Sequence, residues 1–238
     1  MSAGGGPDIE QGSGTGEGSG TGAGANRQDA RASTAGYPVN LVLRDRRCVV
    51  VGAGRIAARK IEGLFSAGAR VHVVAPEIGE EVRAWADAGT VTVSERAFEA
   101  TDLDGAWLAT TATGVPATDR MVFEAGEARH VWVNSADDPA NCSFTLMSVV
   151  RQGDLVVAIG SNGRSPALAT YLRDHVRTEM GPEWAALLEL LSEAREEMRA
   201  GGRSSETADW RRALDSGILD LVREGRDGEA KELLRSCL

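Results

Sequence analysis

The sequence has little of what marks secreted, membrane or metal-binding proteins. It contains three cysteines, Cys48, Cys142 and Cys237, and an odd, sparse set of this kind argues against a disulfide scaffold. No apolar run approaches the roughly 20 residues needed to cross a bilayer, and the N-terminus lacks the apolar core of a secretory signal. We therefore expect a protein of the reducing cytoplasm with no membrane partner.

Histidine and lysine are also scarce. The three histidines share no metal-ligand spacing with one another or with the cysteines, so we expect no metal site. Lys60 and Lys231 are the only lysines, and the net charge is −9, which argues against nucleic acid as a partner. Arginine supplies the remaining positive charge, and its planar fork suits carboxylates and phosphates.

The chain changes character near Tyr37. Residues 1–36 form a Gly/Ser-rich tail with almost nothing apolar to bury, and we expect it to be disordered. From Tyr37 onward, apolar strands alternate with amphipathic helices, a pattern typical of an α/β protein with a doubly wound parallel sheet. We predict a dinucleotide-binding domain over 37–143, a small α+β domain over 144–182 and a helical C-terminal segment over 183–238.

A glycine-rich turn follows the first strand of this region. The strand ends at Val51, and Gly52, Gly54 and Ala57 then stand at the spacing G-x-G-x-x-A, opening a helix over Ile56–Ala67. The first glycine allows a tight turn, the second lets the backbone approach a pyrophosphate, and the alanine packs the helix on the strand. The motif predicts dinucleotide binding; the alternative is an α/β turn that merely requires small residues.

Ligands of doubly wound sheets lie beyond the carboxyl ends of the strands. Later strands are predicted around Val91–Val93, Trp107–Thr111 and His130–Val133, followed by a hairpin of Phe144–Val150 and Leu155–Ile159. The segments expected around one crevice are Gly52–Ile56, Ala75–Glu77, Thr110–Thr113 and Asn134–Asp138.

Two elements offer polar chemistry. Asp137 and Asp138 are adjacent at the ligand end of a strand, and their proximity would raise one pKa toward a range useful for proton transfer; the alternative is a turn initiated by Asp138 before Pro139. Ser161 lies in a small-residue loop before a helix that Ser165 caps. Without a G-x-S-x-G elbow, we interpret Ser161 as a contact for an anion or substrate.

Several motifs together resemble one known family over about residues 37–180. They are Tyr37-Pro38, the glycine turn through Lys60, Ala67-Gly68-Ala69 to Pro76, Ala109 to Thr113, Asn134-x-x-Asp137, Cys142-Ser143-Phe144, and Val157 to Ala169 with Ser161-x-Gly163-x-Ser165-Pro166. The chain resembles the siroheme-synthase N-terminal type of precorrin-2 dehydrogenase, which includes bifunctional dehydrogenase/ferrochelatases.

The resemblance implies a Rossmann domain, a dimerisation domain with intertwined elements and a helical C-terminal piece. It implies a homodimer that oxidises precorrin-2 to sirohydrochlorin with NAD. It leaves ferrochelatase activity, with ferrous ion as a second substrate, open.

The resemblance also implies roles for individual positions. Asp137 corresponds to the catalytic carboxylate, and Ser161 to a serine near the substrate pocket. The cofactor positions are Gly52, Gly54, Arg55 and Ile56 in the glycine turn and Pro76 and Glu77 after the second strand. From their place at the crevice we add Thr110 and Thr111 for the cofactor and Asn134 for the substrate. A substrate rich in carboxylates needs local positive charge, for which Arg164, Arg173 and Arg177 are the candidates.

The chain departs from the common patterns at two places. Ala75-Pro76 stands where the dinucleotide fingerprint expects an acidic residue, so the choice between NAD and NADP rests on the resemblance. Asn162 occupies a loop position where the family commonly has glycine. Two alternatives remain at this point: another NAD(P)-dependent oxidoreductase on the same fold, or a non-catalytic dinucleotide-sensing domain.

Overall fold

A computed structural model describes residues 36–136 and 138–238. Its central feature is a five-stranded parallel sheet with strand order β3-β2-β1-β4-β5. The elements of this part are β1 (Arg47–Val51), α1 (Arg55–Ser66), β2 (Arg70–Ala75), α2 (Glu80–Asp87), β3 (Thr92–Glu95), a 3-10 turn (Ala100–Leu103), β4 (Leu108–Thr111), α3 (Pro116–Arg129), β5 (Trp132–Ser135) and a second 3-10 turn (Pro139–Asn141). The predicted doubly wound parallel sheet is confirmed. The predicted disordered tail, apart from Gly36, lies outside the described residues.

Apolar side chains cover the sheet on both faces, which is why its strands carry runs of valine. One face packs α1 and α2 against Val50 and Val73, with Ile61 fully buried between them. The other face packs α3 against Val49 and Val133. Because the strand order reverses between β1 and β4, a crevice opens at their carboxyl ends.

The fifth strand begins two residues later than the sequence suggests. His130, predicted to open the strand, instead ends α3 in a left-handed conformation with φ 57°. The strand starts at Trp132 and extends through Ser135, so Asn134 is a strand residue with a buried side chain. Apolar alternation marks an extended segment but not the residue at which pairing with a neighbouring strand begins.

The second sheet is an antiparallel hairpin of β6 (Ser148–Gln152) and β7 (Leu155–Ile159). Its first strand was predicted from Phe144, but the carbonyl of Phe144 accepts a hydrogen bond from the side chain of Asn134, and pairing with β7 begins at Ser148. The predicted helical C-terminal segment is confirmed. The remaining elements are α4 (Pro166–Glu179), α5 (Glu183–Ala200), α6 (Trp210–Leu214), α7 (Ile218–Arg223) and α8 (Asp227–Cys237).

The C-terminal helices form a separate apolar core. Leu187 and Leu190 of α5 pack with Ile218 and Leu234 of the shorter helices. Among the helices described, none is long and apolar enough to serve as a bilayer-crossing segment.

An ion pair between a buried carboxylate and a partly exposed arginine, near the first 3-10 turn, predicts acid-sensitive stability. Arg96 donates to both carboxylate oxygens of Asp102, at 2.6 and 2.9 Å, and the Glu99 amide donates at 2.9 Å. The hydrogen bonds from Arg96 hold the pKa of Asp102 below its usual value. The pair therefore stabilises the fold above the unfolded-state pKa, and this contribution is lost as the pH falls through the lower folded-state pKa.

We expect Asp102→Asn to lower the free energy of unfolding by about 1–3 kcal/mol at pH 7, because charge-assisted hydrogen bonds to a buried carboxylate are lost. The difference from the unmodified protein should shrink as the pH falls below about 4. Urea denaturation at several pH values measures both effects. Asp104→Asn, at an exposed pair with Arg129, is the control, with an expected change below about 0.5 kcal/mol. A difference for Asp102→Asn that stays constant down to pH 2 would contradict the assignment.

Candidate functional site

The glycine turn after β1 has the geometry that its sequence predicts. Gly52 has φ +106°, and a Cβ built there would lie 2.6 Å from the carbonyl oxygen of Ala112. The Gly52 amide donates to the carbonyl of Val74 at 2.9 Å, and the Ala112 amide donates to Val51 at 2.9 Å. The turn is thus fixed between β2 and the loop after β4, and no side chain fits at its first position.

The second glycine leaves space at the start of α1. Gly54 is the extended N-cap residue, and a Cβ at this position would meet nothing within 4 Å. The first turn of α1 carries no acidic residue, so its amide groups and the helix dipole favour an anion. Arg55 and Ile56 follow with exposed side chains. This arrangement fits the pyrophosphate of a dinucleotide.

A cleft of about 300 Å³ opens at the carboxyl ends of β1, β4 and β5. Most of its lining is apolar, with two carboxylates. The lining residues are Ile56, Ala112, Gly114, Pro116, Asp119, Ala136 and Asp138. Three of the four predicted crevice segments therefore contribute to it or lie directly beside it.

The fourth predicted segment lies elsewhere along the same edge. Pro76 and Glu77 are exposed residues after β2, and neither lines the cleft. The strand order explains the separation, because β2 lies on the far side of β1 from β4. A dinucleotide that crosses the glycine turn would reach both places.

Two threonines of β4 point to opposite faces of the sheet. Thr111 donates a hydrogen bond to Asp119, and Thr113, just after the strand, donates to the same Oδ1 atom at 2.7 Å. Thr110 is 3% exposed, and its hydroxyl has no partner in the described part of the chain. Thr111, which was predicted to contact the cofactor, therefore contributes to the cleft by holding the Asp119 carboxylate.

Asn134 connects three parts of the chain. Lys60 of α1 donates to its Oδ1 at 2.7 Å, and its Nδ2 donates to the Phe144 carbonyl at 3.1 Å. Its amide orientation follows from this network, because a lysine ammonium only donates. The Asn134 amide thus holds the segment leading to the second sheet against the first sheet.

The turn after β5 is built on cysteine and aspartate side chains. The Ser135 amide donates to Sγ of Cys142 at 3.2 Å. Asp138 accepts hydrogen bonds from the Ala140 amide at 3.2 Å and from Nδ2 of Asn141 at 2.6 Å, as a turn-forming aspartate does. Asp137, the predicted catalytic carboxylate, lies outside the described residues.

The predicted substrate loop has a defined conformation. Oγ of Ser161 accepts a hydrogen bond from the Ser165 amide at 3.0 Å, and Asn162 has a left-handed φ of 51°. Asparagine tolerates this conformation, which explains its presence at a position that commonly has glycine. Neither Ser161 nor the exposed Arg164 lines the cleft of the same chain.

Sequence reasoning missed two residues of the site, Lys60 and Asp119. Lys60 stands within the glycine motif and is one of two lysines in the chain, which was a usable signal. Asp119 carried no signal, because its contact with Thr111 depends on how α3 packs on β4. The described residues contain no His/Cys/Asp/Glu group able to hold a metal ion.

Comparisons with known proteins agree with this geometry. Residues 39–148 match the family described as "Putative NAD(P)-binding". A siroheme synthase of Nitrosococcus oceani is 32% identical over 203 residues, covering 84% of this chain and 43% of that protein. A siroheme synthase of Escherichia coli is 43% identical over 141 residues, covering 59% of this chain and 31% of that protein. The chain thus spans less than half the length of these curated relatives.

A solved structure matches over a larger share of its own length. The structure titled "SirC, precorrin-2 dehydrogenase" superposes with a TM-score of 0.68 and 25% identity, covering 84% of this chain and 98% of that one. The sheet, the hairpin and the helical segment thus belong to one known architecture with a nicotinamide-dinucleotide-binding domain. The chain is thus similar in sequence to siroheme synthases, and in fold to a precorrin-2 dehydrogenase, and residues 39–148 carry the NAD(P)-binding match.

Proposed function

We propose that this protein is a precorrin-2 dehydrogenase, which oxidises precorrin-2 to sirohydrochlorin with NAD in siroheme biosynthesis. The observation that carries the proposal is the match to the SirC structure over 98% of that chain, because it includes the second sheet and the helices as well as the dinucleotide-binding part. A dinucleotide-sensing domain would not need these further elements. The free thiols of all three cysteines support a cytoplasmic setting.

When bound, the nicotinamide supplies a hydride acceptor for a saturated carbon of the macrocycle. The chain's own residues bind and orient it: Gly52 and Gly54 admit the pyrophosphate, and Arg55 and Ile56 flank it. Asp137 takes up the proton that the macrocycle loses as its conjugation extends. Asn134 holds the segment after β5, and thereby the position of the substrate site.

We propose NAD rather than NADP as the cofactor. NADP-binding sites commonly place an arginine beside the 2′-phosphate, after the second strand. Residues 75–81 contain Glu77, Glu80 and Glu81 and no basic residue. The exposed carboxylate of Glu77 would repel a 2′-phosphate and suits a free ribose hydroxyl.

We propose that Ser161 and Arg164 bind the substrate, with Arg173 and Arg177 supplying further positive charge. Arg173 and Arg177 of α4 both pair with Asp174, at 2.8 and 3.1 Å, so a single carboxylate is shared by two guanidinium groups. The cluster of these two arginines and Asp174 carries one surplus positive charge, which suits a ligand bearing carboxylates.

We propose that the protein is a homodimer formed through the second sheet and α4. Between residues 144 and 182, only Val150 and Ala169 are buried apolar side chains, and a two-stranded hairpin with so little core is at best marginally stable alone. Leu146, Leu168 and Tyr171 are exposed by 64%, 52% and 68%. A second copy of the chain would cover them.

Light scattering at micromolar concentration should give twice the chain mass of 25.1 kDa. Tyr171→Asp, on the proposed interface, should shift the population toward monomer, because it buries a charge in an apolar contact. Met121→Asp is the matched control, since Met121 is 50% exposed on α3, outside the interface. A monomer mass for the unmodified protein would contradict the dimer.

Anaerobic turnover of precorrin-2, followed by absorbance with NAD, NADP or neither, tests the function. We expect sirohydrochlorin to form with NAD and far more slowly with NADP. Ferrous ion is then added to the product with and without protein, and acceleration by the protein would establish chelatase activity in addition. Measurable NAD binding without any change in the tetrapyrrole would contradict the proposed dehydrogenase.

A further inference from the structure

Asp119 is a buried carboxylate of the cleft that the proposed mechanism does not use. It lies in the first turn of α3, is 6% exposed and contributes to the cleft lining. The hydroxyl groups of Thr111 and Thr113 both donate to Oδ1, and within the described residues no hydrogen bond reaches Oδ2. The carboxylate is therefore held in one orientation with one oxygen available.

The cleft lining limits what can occupy it. Besides Asp119 it contains one further ionisable residue, Asp138, whose two oxygens already accept hydrogen bonds within their own turn. No lysine or arginine is among the described lining residues, and Ile56, Ala112 and Pro116 are apolar. A phosphate would meet two negative charges and no cation. A group with an apolar face and hydrogen-bond donors fits.

The size and position of the cleft favour one half of a dinucleotide. About 300 Å³ is at the lower end of ligand pockets, too little for a whole dinucleotide. The adjoining start of α1, at Gly54, is the place for the pyrophosphate. The pyrophosphate joins the two nucleoside halves of a dinucleotide. The half that occupies the cleft at β4 and β5 would lie on the opposite side of the glycine turn from β2.

A dinucleotide bound across the glycine turn of a doubly wound sheet directs its nicotinamide riboside half to this side. We propose that Asp119 holds that half in the cleft by accepting a hydrogen bond from its ribose hydroxyl groups. The inference rests on the proposed function and adds to it the residue that holds the reactive half. Carboxylates are common partners of ribose hydroxyls in dinucleotide sites. The two threonines orient the acceptor before the cofactor arrives, so little side-chain entropy is lost on binding. The negative charge also favours the cationic ring of oxidised NAD over the neutral reduced ring.

Calorimetric titration of the full chain with four ligands tests the proposal: NAD, NADH, nicotinamide mononucleotide and ADP. Asp119→Asn keeps the side-chain volume and an acceptor for Thr111 and Thr113, but removes the charge and replaces one oxygen by a donor. We expect its affinity for NAD and nicotinamide mononucleotide to fall about tenfold or more, because a hydrogen bond to a charged group is lost. Affinity for NADH should fall less, and affinity for ADP should not change.

Asp102→Asn is the matched control, since Asp102 is also 6% exposed but does not line the cleft. It should destabilise the fold without changing any of the four affinities. Titration of the unmodified protein with nicotinamide mononucleotide lacking the 2′- or 3′-hydroxyl gives a second test that needs no variant, and weaker binding is expected.

An Asp119→Asn variant that binds NAD as the unmodified protein does, or that loses ADP affinity equally, would overturn the inference. Deoxy analogues that bind as well as the parent compound would do the same. If either of these results occurred while the unmodified protein still oxidised precorrin-2, the proposed function would stand and only the role of Asp119 would fall. Failure of the unmodified protein to bind NAD at all would overturn both.

Discussion

Asp137→Ala should reduce precorrin-2 oxidation by a factor of roughly 10² to 10⁴, the contribution of a positioned general base. NAD affinity should stay within about twofold, because the glycine turn and the start of α1 are unaffected. Ala136 and Asp138, the neighbours of this residue in the sequence, both line the cleft. Single-turnover absorbance with saturating NAD measures the loss, and fluorescence titration measures the binding.

Two further variants separate charge from shape in this prediction. Asp137→Asn retains nearly the same volume and should lose activity as severely as Asp137→Ala, because the amide cannot take up a proton. Asp104→Asn, at a surface pair with Arg129, should leave turnover unchanged. Turnover by Asp137→Asn close to that of the unmodified protein would exclude Asp137 as the proton acceptor.

Gly52→Ala and Gly54→Ala should both weaken NAD binding, for different reasons. Alanine at Gly52 would adopt an unfavourable φ near +106° and place its Cβ 2.6 Å from the Ala112 carbonyl. We expect a loss of about 3 kcal/mol or more in the free energy of unfolding from this strain and overpacking. The binding loss would follow from a displaced turn.

Gly54→Ala distinguishes cofactor binding from folding. Its φ of −81° suits alanine, and a Cβ would meet nothing within 4 Å, so we expect stability to change by less than about 1 kcal/mol. The methyl group would instead occupy the space that the pyrophosphate needs. NAD affinity should fall by roughly tenfold to a hundredfold, equivalent to an overpacking cost of about 1–3 kcal/mol.

Urea denaturation and NAD titration of the two variants check this contrast. A Gly54→Ala variant with normal affinity would contradict close approach of the cofactor at this residue. A Gly52→Ala variant as stable as the unmodified protein would contradict the conformational argument for the turn.

Local sequence patterns were sufficient for the core of the fold. Three consecutive valines followed by the glycine motif predict a buried parallel strand and a tight turn into a helix, because each requirement involves only neighbouring residues. The same applies to α4, where Ser165 accepts a hydrogen bond from the Leu168 amide at 3.2 Å, as its predicted N-cap role requires. Repeated strand–helix alternation then leaves few topologies besides a doubly wound sheet.

Strand boundaries were less accessible to sequence reasoning. The pattern around His130–Val133 correctly indicated a strand but placed its start two residues early, because pairing with β4 decides where the strand begins. The same reason explains the misplaced start of β6. Hydrogen bonds between distant segments set these limits, and periodicity does not report them.

The sequence by itself determined the type of sheet, the glycine turn and the kind of ligand that turn accepts. The tertiary structure decided which polar side chains meet. Lys60 contacts Asn134 across 74 residues, and Asp119 receives two threonine hydroxyls at the cleft. The tertiary structure also placed the end of β2 away from that cleft, although both lie at the carboxyl-end edge of the sheet. These outcomes depend on strand order and on how each helix packs across the sheet, and neither is encoded in local residue spacing.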